Sequence, residues 1–423
     1  MPHFLISPEY PIHFKLICII LLVFPITFIT GPALPDILLT TIGIYFLFIS
    51  ISEKSFNRFK NYFVYIFILF FLLILLRGLF TNQIYDSLIG YNAPIFYFRY
   101  LFFVLGFNYI VEKEFIILKY FFYILLAVVL FTIVDGLIQW VFDVNVLGYT
   151  KNTNRISGIF KDEEILGHFL AHIIPLLVSL GFFFFEDKND KFYLSFIILI
   201  SVSTIIIFIS NDRAGFFKII QFFILFIVLS HKKNLVKILC FFLTLIFISV
   251  IFLKSDHSSD RYNSTIQKIS SNTIPYMPWT PNHEKIYKYS FNLYKENKIF
   301  GIGPQMFKIK CLKSKNIEGC QSHPHNYFIQ ILTELGVLGV GILIFGLFYF
   351  FKKVYNIFIS KIFYTNNKKS YPDYIVVIYI QLFLIFWPLI TNQSFYNNWL
   401  NSIIFLIFSV FYFYKSKFKN YTF

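Results

Sequence analysis

Long unbroken apolar runs, separated by short polar stretches, make up most of the chain. Twelve runs are long enough to suggest transmembrane helices: residues 14–30, 34–50, 61–80, 93–111, 118–141, 165–185, 192–210, 215–230, 235–253, 326–351, 374–390 and 398–414. A helix needs about 20 apolar residues to cross the hydrocarbon core. Strands of a membrane barrel would instead alternate apolar and polar positions over roughly 10 residues. The pattern predicts an all-α polytopic integral membrane protein of about 12 transmembrane helices, with residues 1–423 forming a single integral membrane domain. The first run lacks a small-residue cleavage site and reads as a retained span. One long segment, 254–325, interrupts the alternation. Within it, residues 283–297 place Tyr287, Phe291 and Tyr294 at helical spacing with Ile286 and Leu293 beside them, which predicts an amphipathic helix in a large extracytoplasmic loop.

Composition agrees. Hydrophobic residues make up 57% of the 423, and charged residues only 14%. A soluble domain carries roughly 25% charged residues to cover its surface, so a soluble enzyme, a disordered tail and a small disulfide scaffold are excluded. The 60 Phe fit lipid-facing bulk and a genome bias toward Phe, Ile, Lys and Asn. The formal net charge of +15 is no nucleic-acid footprint. Much of it lies in one set of short loops, such as Lys54, Arg58 and Lys60, then Lys352 and Lys353, then the tail with Lys415 and Lys417. By the positive-inside rule this set is cytoplasmic, both termini are inside and segment 254–325 is outside. That segment holds 11 Lys and Arg against 5 Asp and Glu, which suits an anionic partner such as lipid head groups or an anionic substrate.

Ionisable residues inside spans are functional hypotheses by default. Arg99, Asp135, Glu163, His168, Arg213, Lys218 and Glu334 all map to the outer half. Singly, each also fits snorkelling or helix pairing. Together they predict a polar site at the outer face. A transporter would need midplane charges, broken helices or an inverted repeat, and the sequence displays none clearly.

The outer loop carries the most specific text. Gly301 and Gly303 of GIGPQMF suit a tight turn; as a phosphate loop the signal is weak. In HPHNYFIQILTELGVLG, residues 323–339, Pro324 extends His323 and Asn326 can cap the helix that follows. His325 then sits at the mouth of a span, where it can act as a base or proton shuttle. Cys311 and Cys320 read as a disulfide, with a zinc site including His323 and His325 as the weaker alternative. Glu164, His168 and His172 share a helical face; helix-packing hydrogen bonds are preferred there over a metal.

Four stretches resemble the O-antigen ligase/polymerase superfamily of bacterial membrane glycosyltransferases. RISGIFKDEEILGHFL (155–170) resembles R-x-S-G-x-F-x-D-E followed by G-x-x-L. SNDRAGF (210–216) resembles the S/T-x-x-R motif opening a central helix. KENKIFGIGPQMF (295–307) follows, and HPHNYFIQILTELGVLG resembles H-x-H-N-x-x-L-Q-x-x-x-E-x-G-x-x-G. The related core region spans 155–340. The resemblance implies glycan transfer from undecaprenyl diphosphate to an acceptor hydroxyl at the outer face of the bacterial inner membrane, with no nucleotide sugar, cofactor or metal. The acceptor would be lipid A–core for a ligase, or a growing glycan for an O-antigen or exopolysaccharide polymerase. His325 and Arg213 would be catalytic. His323, Lys218, Glu163, Arg155, Lys308, Arg261 and Asn326 would bind substrate, and Cys311, Cys320, Gly301 and Gly303 would be structural. Three positions depart from the family pattern: His283 stands where Arg often opens the outer helix, Lys308 where Arg is usual, and His168 where a small residue is usual. The second cationic diphosphate ligand is then one of Lys308, Arg261 and Arg155. A lipid-glycan transporter and a non-catalytic scaffold are the competing classes.

Overall fold

The structure is a computed structural model. It describes residues 9–417 apart from 91, 152–154, 186–189, 231–233, 255–261, 265, 269, 271–279, 314–317 and 364–370, and for 349 and 360–363 the backbone alone. Among these the protein is all helical; the single β-bridge pairs Val144 with Thr150.

Each of the twelve apolar runs is a helix. In chain order the helices are α1 (Ile12–Thr27), α2 (Ala33–Ser52), α3 (Tyr62–Leu79), the short α4 (Ile84–Leu88), α5 (Arg99–Lys113), α6 (Ile116–Phe142), α7 (Leu166–Phe185), α8 (Asp190–Ile209), α9 (Arg213–Leu229) and α10 (Asn234–Lys254). Then come α11 (Pro281–Tyr294), α12 (Met306–Lys313), α13 (Tyr327–Phe363), α14 (Asp373–Ile385) and α15 (Asn398–Lys417). Among the described residues nine helices are long and apolar enough to cross a membrane; α1 and α14 are shorter apolar helices, and α9 has 17 residues. Continuous apolar sequence forces this outcome, because a helix satisfies every backbone polar group within itself.

Burial sorts the helices into centre and rim. In α7 and α15, 83% of the spanning window is buried, against 28% in α3 and 17% in α10. The central pair packs on α14 and α5. Phe fills the interfaces: Tyr100 stacks on Phe405 at 4.7 Å, and Phe182 on Tyr193 at 4.8 Å. Many Phe thus serve as core packing rather than lipid-facing bulk. Offset and edge contacts of this kind add about 0.5–1.5 kcal/mol per pair beyond area burial.

Two helices are broken, which the sequence reading did not anticipate. In α13, Gly336 has φ 68° and ψ −165°, so two helices meet at a kink. The loop 298–303 repairs the break. Val337 and Leu338 donate to the carbonyls of Lys298 (3.0 Å) and Ile299 (3.3 Å), while Ile302 and Gly303 donate to the carbonyls of Thr333 and Glu334 at 2.9 Å each. Backbone groups freed by a kink in an apolar setting need such partners. The fit is close: a β-carbon on Gly336 would lie 2.2 Å from the Ile299 carbonyl oxygen, and one on Gly301 would lie 2.3 Å from the Glu334 backbone. Arg77 completes the junction by donating to the Gly301 carbonyl at 2.7 Å. The second break is at the end of α14. Its run was expected to continue to residue 390, but the helix stops at Ile385 and 386–397 is irregular. Pro388 cannot donate to a helical ladder.

The amphipathic helix exists with a shifted face. In α11 the buried positions are Glu284, Ile286, Tyr287, Ser290 and Leu293, while Phe291 is 44% exposed. Spacing i, i+4, i+7 counted from Ile286 gives the packed stripe Ile286, Ser290 and Leu293, with Tyr287 beside it, and α11 lies against α13.

Replacing Gly336 by Ala combines a left-handed backbone with a 2.2 Å clash. It should cost about 2 kcal/mol or more, read as a lowered thermal unfolding temperature in detergent. Unchanged stability would contradict the repaired kink.

Candidate active site

The kink of α13 sets the geometry of one end of the bundle. Glu334 is buried; Gln330 Nε2 donates to its carboxyl group at 3.4 Å, and the backbone of Gln305 and Phe307 and the Tyr396 side chain lie close by. The backbone of the GIGPQMF turn therefore lies against an internal carboxyl group. Gly301 and Gly303 have φ of 68° and 116°, as a tight turn requires. At the start of α13, Asn326 Oδ1 accepts from the amides of Phe328 (3.0 Å) and Ile329 (3.2 Å), and its Nδ2 donates to the Pro388 carbonyl at 2.6 Å. His325 has φ 56°, a conformation uncommon for a residue with a β-carbon. Its carbonyl accepts the Asn392 amide at 2.8 Å. The HPHN turn is thus fastened to the irregular segment 386–397.

Three histidine rings meet there. His323 and His325 lie 4.0 Å apart between ring centroids, and His283 of α11 lies 5.7 Å from His325. His283 Nδ1 is 2.8 Å from Thr280 Oγ1. Burial lowers His283 to about 4, with contributions from His325 and then Arg213, the first residue of α9. Burial, then His325, lowers His323 to about 3, and burial lowers His325 as well. All three rings are consequently neutral near pH 7 and able to accept a proton. His283 therefore does not supply the cation that Arg would supply at that position.

Behind the histidines lies a buried polar group. Asp212 caps α9 by accepting the Gly215 amide at 3.0 Å. One turn on, buried Lys218 reaches His172 Nε2 at 3.1 Å and Asn392 Oδ1 at 3.4 Å. His172 Nδ1 is 2.8 Å from the His168 carbonyl. That contact fixes Nδ1 as donor and leaves Nε2 to accept from Lys218. Lys218 holds the Asn392 side chain while the Asn392 amide holds His325, so α9 positions the histidine turn.

Beside the histidines opens a cavity of about 920 Å³, whose wall includes Lys161, Glu163, Lys308, His323 and Glu334. An almost wholly apolar groove of about 430 Å³, between α1 and α6, shares Ile29 with it.

Residues 194–363 match the family model described as O-antigen ligase. Over this stretch the chain is similar to the O-antigen ligase superfamily. With its apolar helices this makes it a multi-pass membrane protein. No curated protein matches the chain significantly. The family match covers α9, the outer loop and α13, which between them supply Arg213, His283, His323 and His325.

The superfamily's motif residues are brought together unevenly. Glu163, Lys308 and His323 line the cavity, and His325 adjoins it. Arg213 and Lys218 approach from α9. Arg155 pairs with Glu164 at 2.5 Å and lies near enough to Arg213 for their charges to interact. Glu164 is thus engaged by Arg155, not by the histidines that follow it. Arg261 lies outside the described residues. Asn326 is occupied in capping. Cys311 and Cys320 form a disulfide. Among the described residues no group of three or more His, Cys, Asp or Glu is placed to hold a metal ion.

Two of the seven outer-half ionisable residues stand apart from the site. Arg99 pairs with Asp36 at 2.8 Å, joining α5 to α2. Asp135 accepts the Val146 amide at 3.0 Å and orders the loop after α6. Helix and loop fixation explains both. Conversely, the sequence reading left out Asn392 and Gln393 because 386–397 looked like the tail of a span. Pro388 and the polar run 392–394 were the available signal.

The histidines set a pH dependence. A ring with a folded pKa below its unfolded value of about 6.5 binds fewer protons when folded. Its contribution to stability is present above about 6.5 and declines as pH falls toward 4 and 3. Thermal unfolding measured from pH 7.5 to 4.5 should show this decline, and His323→Gln should lessen it. An equal decline in the variant would contradict the assignment.

Proposed function

We propose that the protein transfers a glycan from a lipid diphosphate of the undecaprenyl type to an acceptor hydroxyl, at the outer face of the cytoplasmic membrane. The observation that carries the reading is the meeting of the His283, His323 and His325 rings next to the cavity, with Arg213 near enough for its charge to act on His283. His325, held neutral by burial, takes the proton of the acceptor hydroxyl. The hydroxyl oxygen attacks the anomeric carbon, the anomeric carbon–oxygen bond to the diphosphate breaks, and the bonding pair leaves with the lipid diphosphate. Arg213 receives the developing anionic charge through its fork of N–H donors. Lys308, on the cavity wall, is the second cation of this reading. Attack opposite the leaving group inverts the anomeric centre. His283, neutral at working pH, orders His325 rather than binding charge.

Within this chemistry we take the protein as O-antigen ligase-like, with lipid A–core as acceptor; a polymerase uses the same steps on a growing glycan. A transporter would need broken helices, and two are present. At Gly336, however, the freed backbone groups bond to the loop 298–303, and the segment after α14 is tied to the HPHN turn through Asn392 and Pro388.

Gene deletion complemented with His325→Ala or Arg213→Lys provides the test, read by gel profiles of surface glycans. Both variants should lose glycan transfer at normal protein levels, by about 100-fold or more for the missing base. Lipid-linked polymer accumulating behind bare core identifies a ligase, and core capped by single repeats a polymerase. A normal profile with His325→Ala contradicts the mechanism.

A further inference from the structure

Arg77 lies in the last turn of α3, a rim helix, at the end of the bundle that carries the outer loop. Its Nε donates to the Gly301 carbonyl at 2.7 Å and its Nη1 to the Phe80 carbonyl at 3.1 Å. These bonds use only part of the fork of N–H donors that a guanidinium carries. Lys298 is exposed on the neighbouring turn, which Gly301 closes by donating to the Asn297 carbonyl at 2.8 Å. Among the described residues neither cation has an acidic partner. The nearest carboxylates in the chain do not answer them, since Glu296 pairs with Lys310 and Asp86 of α4 pairs with no cation. Around the guanidinium the surface is apolar. Leu79, Phe80, Ile299, Phe300, Val337 and Leu338 are all exposed, Phe80 to 78% and Ile299 to 59%. The bonds that repair the kink hold loop and helix side by side here, because Val337 and Leu338 donate to the Lys298 and Ile299 carbonyls.

We propose that Arg77 and Lys298 bind the phosphate of an anionic phospholipid, in the leaflet on the histidine side of the membrane, and that Ile299 and Phe300 lie among its acyl chains. A phosphodiester accepts the remaining guanidinium donors, which suit paired bonds to its oxygens. Cations at the end of a span reach for the head-group level, and each is drawn to an anionic lipid surface. The acyl chains cover the apolar rim. A soluble anion would meet Arg77 and leave that rim bare. Continuity favours a lipid too, since α3 is only 28% buried along its span and its exposed side runs into the patch. The guanidinium that holds the phosphate also holds Gly301, and the Gly303 amide bonds to the Glu334 carbonyl. Bound lipid thus fixes the depth of the outer loop at the kink. The inference stands apart from the transfer reading, because it needs no substrate at the histidines.

Native mass spectrometry of the purified full-length protein, with phosphatidylglycerol or phosphatidylcholine added to the detergent, tests the site. The wild type should retain phosphatidylglycerol more strongly than phosphatidylcholine. Arg77→Gln should weaken phosphatidylglycerol binding about tenfold, the size of a lost charge-assisted bond. Lys298→Gln should weaken it about fivefold, as for one cation at an anionic lipid surface. Lys298 is exposed, so its variant serves if Arg77→Gln fails to fold; thermal unfolding checks both. Hydrogen exchange gives a second reading. The Ile302 and Gly303 amides should exchange more slowly in nanodiscs containing phosphatidylglycerol than in phosphatidylcholine alone, and Lys298→Gln should lessen the difference. Equal retention of the two lipids by the wild type marks a merely apolar contact and overturns the phosphate site. Retention of phosphatidylglycerol at the wild-type level by the folded variants overturns it as well.

Discussion

The architecture of the site depends on one exchange of backbone hydrogen bonds. A helix that breaks at Gly336 leaves amides and carbonyls without intrahelical partners. In an apolar setting these must be met, and the outer loop meets them through Lys298, Ile299, Ile302 and Gly303. The exchange joins the two most specific stretches of the sequence. It turns the GIGPQMF amides onto Glu334, and it brings α11 with His283 against α13. Side chains add to the seating of the outer loop, with Arg77 donating to the Gly301 carbonyl and Ser87 to the Pro304 carbonyl.

A second level of positioning comes from α9 through Lys218 and Asn392. A buried ammonium held by an imidazole and an amide is costly unless the network is satisfied. That network fastens segment 386–397, which in turn fastens the carbonyl of His325. Arg213 and Lys218 lie on the same helix, so the proposed cation for the leaving group and the support of the proposed base move as one rigid unit.

Much of this was legible in the sequence. Apolar runs gave every long helix, because burial of continuous apolar sequence leaves little choice. The Asn326 cap and the Gly301 and Gly303 turn were readable from local chemistry. Charge alone misled, since Arg99 and Asp135 carry the same signature as Arg213 but serve helix and loop contacts. The breaks at Gly336 and Ile385 were not legible. A lone Gly in an apolar run is compatible with a straight helix, and only the loop that fills the gap decides. The face of α11 was misplaced for a related reason: aromatic residues define a stripe as well as the packed side does, and only the partner helix chooses between them.

In the proposed reaction the Arg213 side of the site receives the lipid diphosphate. Its most direct test is binding of undecaprenyl diphosphate to the purified protein in nanodiscs, wild type against Arg213→Met. Loss of a charge-assisted pair predicts binding weaker by about 10- to 100-fold with the fold intact. Equal binding by the folded variant would contradict the claim.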